Sequence, residues 1–70
     1  MPRGFVKWFN DLKGYGFISS DDFTEDLYVR FSEICAGGYR TLKKGDEVIF
    51  EVEESSGGIR AKKVTKVQSD

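Results

Sequence analysis

From residue 47 to residue 54 the side chains alternate: Val48, Phe50 and Val52 share one parity, and Glu47, Ile49, Glu51 and Glu53 the other. A period of two with one apolar face predicts a half-buried β-strand. Runs rich in aromatic and β-branched residues, bounded by turn-prone pairs, predict four more. Residues 4–10 end at Asn10-Asp11, and residues 15–20 open after Lys13-Gly14 and close in Ser19-Ser20-Asp21-Asp22. Residues 27–31 follow Glu25-Asp26, and residues 59–67 follow a hairpin loop at Ser55-Ser56-Gly57-Gly58. Between the third and fourth strands runs a long connection, from Ser32 to about Gly45, that holds Gly37-Gly38 and a Lys44-Gly45-Asp46 turn.

Five short strands without a convincing helix predict an all-β fold, and a closed five-stranded antiparallel barrel is favoured because closure removes sheet edges that so small a chain could hardly cover. Seventy residues leave room for one domain, spanning 1–70. The inward set is predicted to be Val6, Ile18, Leu27, Val29, Ile34, Val48, Phe50, Val52 and Val64, with Val67 at its margin.

Composition narrows the chemistry. There is one cysteine and no histidine. An internal disulfide is therefore impossible and a reducing, cytoplasmic setting is expected, with Cys35 a semi-buried apolar residue between Ile34 and Ala36. No metal or other cofactor is expected, since thiolate and imidazole ligands are nearly absent. Neither is an enzyme: no base stands ready to activate Cys35, and no Walker-type phosphate loop occurs. No apolar run approaches the roughly 18 residues of a membrane span, so no membrane is expected as partner. Nor is a small-molecule substrate, and the chain is expected to be a monomer. The net charge of −1 by itself argues against a nucleic-acid ligand. Its distribution argues otherwise: Arg3, Lys7 and Lys13 meet only Asp11 among the first 20 residues, whereas the acids gather at 21–26 and 46–54.

The aromatic residues fall off the core parity. In the second strand Gly14, Gly16 and Ile18 share the inward parity, which turns Tyr15 and Phe17 outward beside glycines that leave the backbone uncrowded. In the third, inward Leu27 and Val29 turn Tyr28 and Arg30 outward. Trp8 and Lys7 come from the first strand, and Lys13 caps one end. The parities of Phe9 and Phe31 are ambiguous. One such ring is more often core than surface, but several on one face, rimmed by Lys and Arg, suit single-stranded nucleic acid, whose bases offer π-faces and whose linkages offer phosphates.

Three segments carry a closer likeness. Gly4-Phe5-Val6-Lys7-Trp8-Phe9-Asn10, Lys13-Gly14-Tyr15-Gly16-Phe17-Ile18 and Leu27-Tyr28-Val29-Arg30-Phe31-Ser32 resemble the G-x-V-K-W-F-N, K-G-[FY]-G-F-I and V-F-V-H-F-S motifs of the bacterial cold-shock protein family. Gly38-Tyr39-Arg40-Thr41-Leu42 is similar to its G-F-K-T-L, so the likeness runs from about residue 4 to residue 64. The resemblance implies an oligonucleotide-binding (OB) barrel that binds single-stranded RNA or DNA, as an RNA chaperone or a transcription or translation regulator. By motif position it implies stacking by Trp8, Phe17, Tyr28, Phe31 and Tyr39, and phosphate or base-edge contacts by Lys7, Asn10, Lys13 and Asp26.

The chain departs from the family pattern at three places. Arg30 stands where the second ribonucleoprotein motif has histidine, Phe23-Thr24 where a glycine is usual, and Gly58-Ile59 where the family has G-P. Guanidinium also stacks on bases and keeps its charge, which preserves the role at position 30. Arg60 lies where it could reach a base. A protein-interaction barrel of SH3 type, gripping a proline-rich peptide with its exposed rings, is the alternative. Lys7, Lys13 and Arg30 among those rings favour nucleic acid, since a peptide groove would more often show acids.

Overall fold

The computed structural model describes residues 1–35 and 41–67. Within them lie β1 (Arg3–Asn10), β2 (Tyr15–Ser19), β3 (Leu27–Arg30), a 3-10 turn (Phe31–Glu33), β4 (Glu47–Ser55) and β5 (Gly58–Lys66). Each strand end falls within one residue of the sequence expectation, and the shifts have local causes. Ser55 pairs with Gly58, which leaves Ser56 and Gly57 as a two-residue loop rather than four, with Gly58 at φ 125°. Phe31 N–H still continues the ladder on the Gly14 carbonyl at 2.8 Å, but its own carbonyl accepts from Ile34 N–H at 3.1 Å, which closes the 3-10 turn and ends β3.

The strands close in the order β1-β2-β3-β5-β4, with β4 returning to β1. Closure removes the long unpaired edges. It is reinforced by Val6 N–H on the Asp46 carbonyl at 2.9 Å and Phe50 N–H on the Pro2 carbonyl at 3.1 Å. One seam departs from the antiparallel expectation: β3 and β5 run parallel, joined at Tyr28 and Arg60, because β5 leaves the β4–β5 hairpin in the direction of β3. Cys35 N–H on the Val64 carbonyl at 2.7 Å extends this seam.

Val6, Ile18, Leu27, Val29, Ile34, Val48, Phe50 and Val64 fill the barrel, as the alternation predicts. Burying each of the larger ones contributes about 1.5–3 kcal/mol. Leu42 and Ala61 join them unpredicted. Leu42 lies in the connection, where no alternation marks it, and Ala61 sits in the cationic run at 60–63. A bulge explains Ala61. Between Ile49/Thr65 and Glu51/Lys62 the register slips, with Lys63 at φ 51°, so that residues three apart, Ala61 and Val64, both point inward. Two expected core residues, Val52 and Val67, are only half-buried. Val52 lies where β4 emerges from the barrel into its exposed hairpin end, and Val67 lies just past the end of β5. Cys35 is exposed rather than semi-buried, since Ile34 takes the inward place and the next side chain faces out. Among the described residues no helix is long and apolar enough to cross a membrane.

Candidate nucleic-acid interface

With Val6 inward, a regular β1 would carry Trp8 inward as well. It does not, because Val6 pairs with Ile18 while Trp8 pairs with the next β2 residue, Phe17. Lys7 is the extra residue of a β-bulge, and the bulge sends Lys7 and Trp8 outward together. Beyond it the alternation resumes with Phe9, half-buried and packed on the core, and Asn10 opposite Tyr15. The bulge is possible because position 16 is glycine. A Cβ there would lie 2.2 Å from the Trp8 carbonyl oxygen and 2.8 Å from Phe9 Cα and Cδ1. Gly16 is thus buried against β1, and not a vacancy beside exposed rings. Gly14 is crowded too: at φ 74° it faces Phe31, whose Cδ1 would be 2.8 Å from an added Cβ.

Four rings meet on the surface so formed. Trp8 lies 5.5 Å from Tyr15 and 5.4 Å from Phe17, and Tyr28 lies 5.8 Å from each of Tyr15 and Phe17. Each ring therefore has two neighbours in a closed circuit across β1, β2 and β3. The interplanar angles, from 31° to 73°, are tilted and edge-on, so the ring faces lie at several inclinations to one another. Mutual cover explains why Tyr15, Phe17 and Tyr28 are half-buried while Trp8 remains 40% exposed. Phe31, 46% exposed, sits over Gly14 at the edge of this surface.

Polar groups surround the circuit. Lys7 Nζ lies 2.9 Å from Asp26 Oδ2, so Asp26 holds the bulge lysine at the rim. Arg30, exposed and opposite Tyr15, has no ion-pair partner among the described residues, and neither has Lys13. Asn10 shapes the turn that presents Lys13: its Oδ1 accepts from Lys13 N–H at 2.9 Å and its carbonyl from Gly14 N–H at 2.7 Å. Asp11 accepts a hydrogen bond from Thr41 Oγ1, tying that turn to the later part of the connection. Arg60, 3.7 Å from Glu53, stands beside Tyr28 and lines a groove of about 240 Å³ between Phe17 and Tyr28 on one side and Gly57, Gly58 and Ile59 on the other.

Of the residues singled out from the sequence, Lys7, Trp8, Asn10, Lys13, Tyr15, Phe17, Asp26, Tyr28, Arg30, Phe31 and Arg60 thus border one continuous surface. Tyr39 lies outside the described residues. The groove wall formed by the β4–β5 loop was not legible, because the pairing that brings it beside Tyr28 is non-local. Leu12, 98% exposed at the tip of the β1–β2 turn, carries no signal in the alternation either.

A family model described as the 'Cold-shock' DNA-binding domain matches residues 2–67. The chain is similar to a cold shock-like protein of Aquifex aeolicus, 50% identical over 62 residues that cover 89% of each chain. It is likewise similar to the major cold shock protein of Micrococcus luteus, 45% identical over 67 residues, covering 96% of this chain and all of that one. Among solved structures, Drosophila Unr CSD456 superposes with a TM-score of 0.80 at 21% identity. The match covers 96% of this chain and 26% of that one, and it speaks for the fold.

Proposed function

The chain belongs to the cold-shock domain family, a family of nucleic-acid-binding proteins and not of enzymes, and from that premise we propose that it binds single-stranded RNA or DNA by stacking bases on Trp8, Tyr15, Phe17 and Tyr28. The observation that carries this reading is the closed circuit of rings, three of them half-buried and Trp8 exposed. Rings that support one another are held in place before a ligand arrives, so little side-chain entropy remains to be lost on binding. Every base has a π-face, so the site accepts many sequences. Paired and stacked bases in a duplex cannot lay their faces on it.

Lys13 and Arg30 meet phosphates, Lys7 does so from the rim, and Arg60 reaches a base in the groove beside Tyr28. Phe31 extends the stack, the family motif assigns a further stacking role to Tyr39, Asp26 accepts from a base edge, and Asn10 supports the turn. Each ring engages about one base, which gives a site of about six or seven nucleotides. Binding of this kind, tolerant of sequence and directed at unpaired strands, suits an RNA chaperone or a transcription or translation regulator, working in the cytoplasm as a monomeric domain spanning 1–70. The proline-rich-peptide alternative finds no support in these relatives.

The test is a titration of Trp8 fluorescence with matched single-stranded and duplex RNA and DNA at fixed salt. Single strands are expected to bind more tightly than either duplex. Equal or tighter binding of blunt duplex refutes the stacking model.

A further inference from the structure

Phe5 is the most exposed aromatic residue of the described chain, at 53%, and belongs to none of the ring contacts above. A single exposed apolar side chain needs no explanation. Its register does. The outward pairs of β1 and β2 run Asn10/Tyr15, Trp8/Phe17 and then, past the inward pair Val6/Ile18, Phe5/Ser19. From Phe17 to Ser19 is two residues of strand, about 6.6 Å at 3.3 Å per residue. The same step separates Tyr15 from Phe17, and along β1 the bulge puts Phe5 three residues, about 10 Å, from Trp8. Phe5 therefore stands at the next interval of the same row. Its cross-strand neighbours, Ser19 on β2 and Glu47 on β4, are polar and leave the ring uncovered.

Beside it lies a hollow of about 310 Å³, walled by Phe5, Arg3, Ser19, Asp21 and Asp22. The hollow is pre-formed. Ser20, almost fully buried, donates to the Arg3 carbonyl at 2.8 Å and accepts from Asp22 N–H at 3.2 Å, which fixes the turn against β1. Arg3 is held by Glu47 at 3.2 Å. We infer that Phe5 and this hollow form a further base subsite that continues the stacking row, and that it favours a base bearing an exocyclic amino group. The inference rests on the proposed function. The acids Asp21 and Asp22 repel phosphate, so the occupant enters base first. Carboxylates only accept hydrogen bonds, and cytosine N4 and adenine N6 offer two donors each, whereas uracil and thymine offer one N–H between two carbonyls.

The experiment is calorimetric titration with a single-stranded heptanucleotide and with the same strand extended by one cytidine or one uridine, at the 5′ or the 3′ end. In the unaltered protein one cytidine-extended strand is expected to bind about five- to tenfold more tightly than the heptamer, toward the low end for one stacked base, with a smaller gain for uridine. Phe5→Ala removes the gain and leaves heptamer affinity unchanged, and Phe5→Trp retains it. Urea midpoints of both variants establish that they are folded. No gain at either end, or an undiminished gain in Phe5→Ala, overturns the subsite while leaving the stacking surface intact. Failure of the heptamer itself to bind the unaltered protein overturns both.

Discussion

Adding one methyl group at either of two glycines should move stability in opposite directions. At position 16 a Cβ would lie 2.2 Å from the Trp8 carbonyl oxygen and 2.8 Å from Phe9 Cα, inside the 3.0 Å that real Cβ contacts essentially never breach. Both are backbone atoms, so no rotamer change relieves the clash, and β1 must move away from β2 by the better part of an ångström. Overpacking of this kind costs about 1–3 kcal/mol, and the entropy that alanine removes from the unfolded chain returns about 0.4–1 kcal/mol. A net loss of about 1–2 kcal/mol is large against the 4–10 kcal/mol or so expected of a domain this size, and lowers Tm by roughly 4–16 °C. At position 57 nothing lies within 4 Å and φ is not positive, so Gly57→Ala should be neutral or stabilise by up to about 1 kcal/mol. Urea unfolding followed by Trp8 fluorescence and far-UV circular dichroism measures both. The clash also falls on the bulge that sets Trp8 against Phe17, so Gly16→Ala should weaken oligonucleotide binding at temperatures where it is still folded. If Gly16→Ala unfolds at the same midpoint as Gly57→Ala and binds as the unaltered protein does, the account of the bulge is wrong.

Phe17→Ala removes two ring contacts, at 5.4 and 5.8 Å, and so should cost stability, by about 1–3 kcal/mol, as well as about 1–3 kcal/mol of single-strand affinity; Tyr28→Phe should preserve both, as paired thermal melts and titrations will show. Affinity should fall with salt at a log–log slope of roughly −1.4 to −2, because of the three cations assigned to phosphates one, Lys7, already has a carboxylate partner; a slope near −6 would mean that charge and not stacking dominates. Binding should be nearly flat from about pH 5.5 to 8, and Arg30→His should make it weaken as pH rises through about 6.5, where the imidazole loses its charge. Identical affinities for the unaltered protein, Arg30→His and Arg30→Ala at pH 8 and low salt would remove this residue from the site. Lys63→Gly should raise the urea midpoint, by an amount worth a few tenths to about 1 kcal/mol, since φ 51° strains a side chain and the contact it gives up, 3.9 Å from Glu51 and well exposed, is weak.

Strand positions and most of the core were legible in the sequence because both follow from side-chain alternation, which is local. Val48 and Phe50 against Glu47 and Glu51, or Leu27 and Val29 against Tyr28 and Arg30, fix which face is buried without reference to any partner. The outward placing of Tyr15, Phe17 and Tyr28 followed from the same rule, and the motifs supplied the family. Alternation fails wherever a bulge inserts a residue. At Lys7 it would have turned Trp8 inward, and at Lys63 it gave no reason for Ala61 and Val64 to be buried together. Only the partner strand decides where the register slips, and only the close approach of β1 shows Gly16 to be a packing requirement. Half-burial of the rings, the parallel β3–β5 seam and the grooves beside Tyr28 and Phe5 likewise belong to the tertiary structure, because each is made by residues distant in the chain whose contact exists only once the barrel closes.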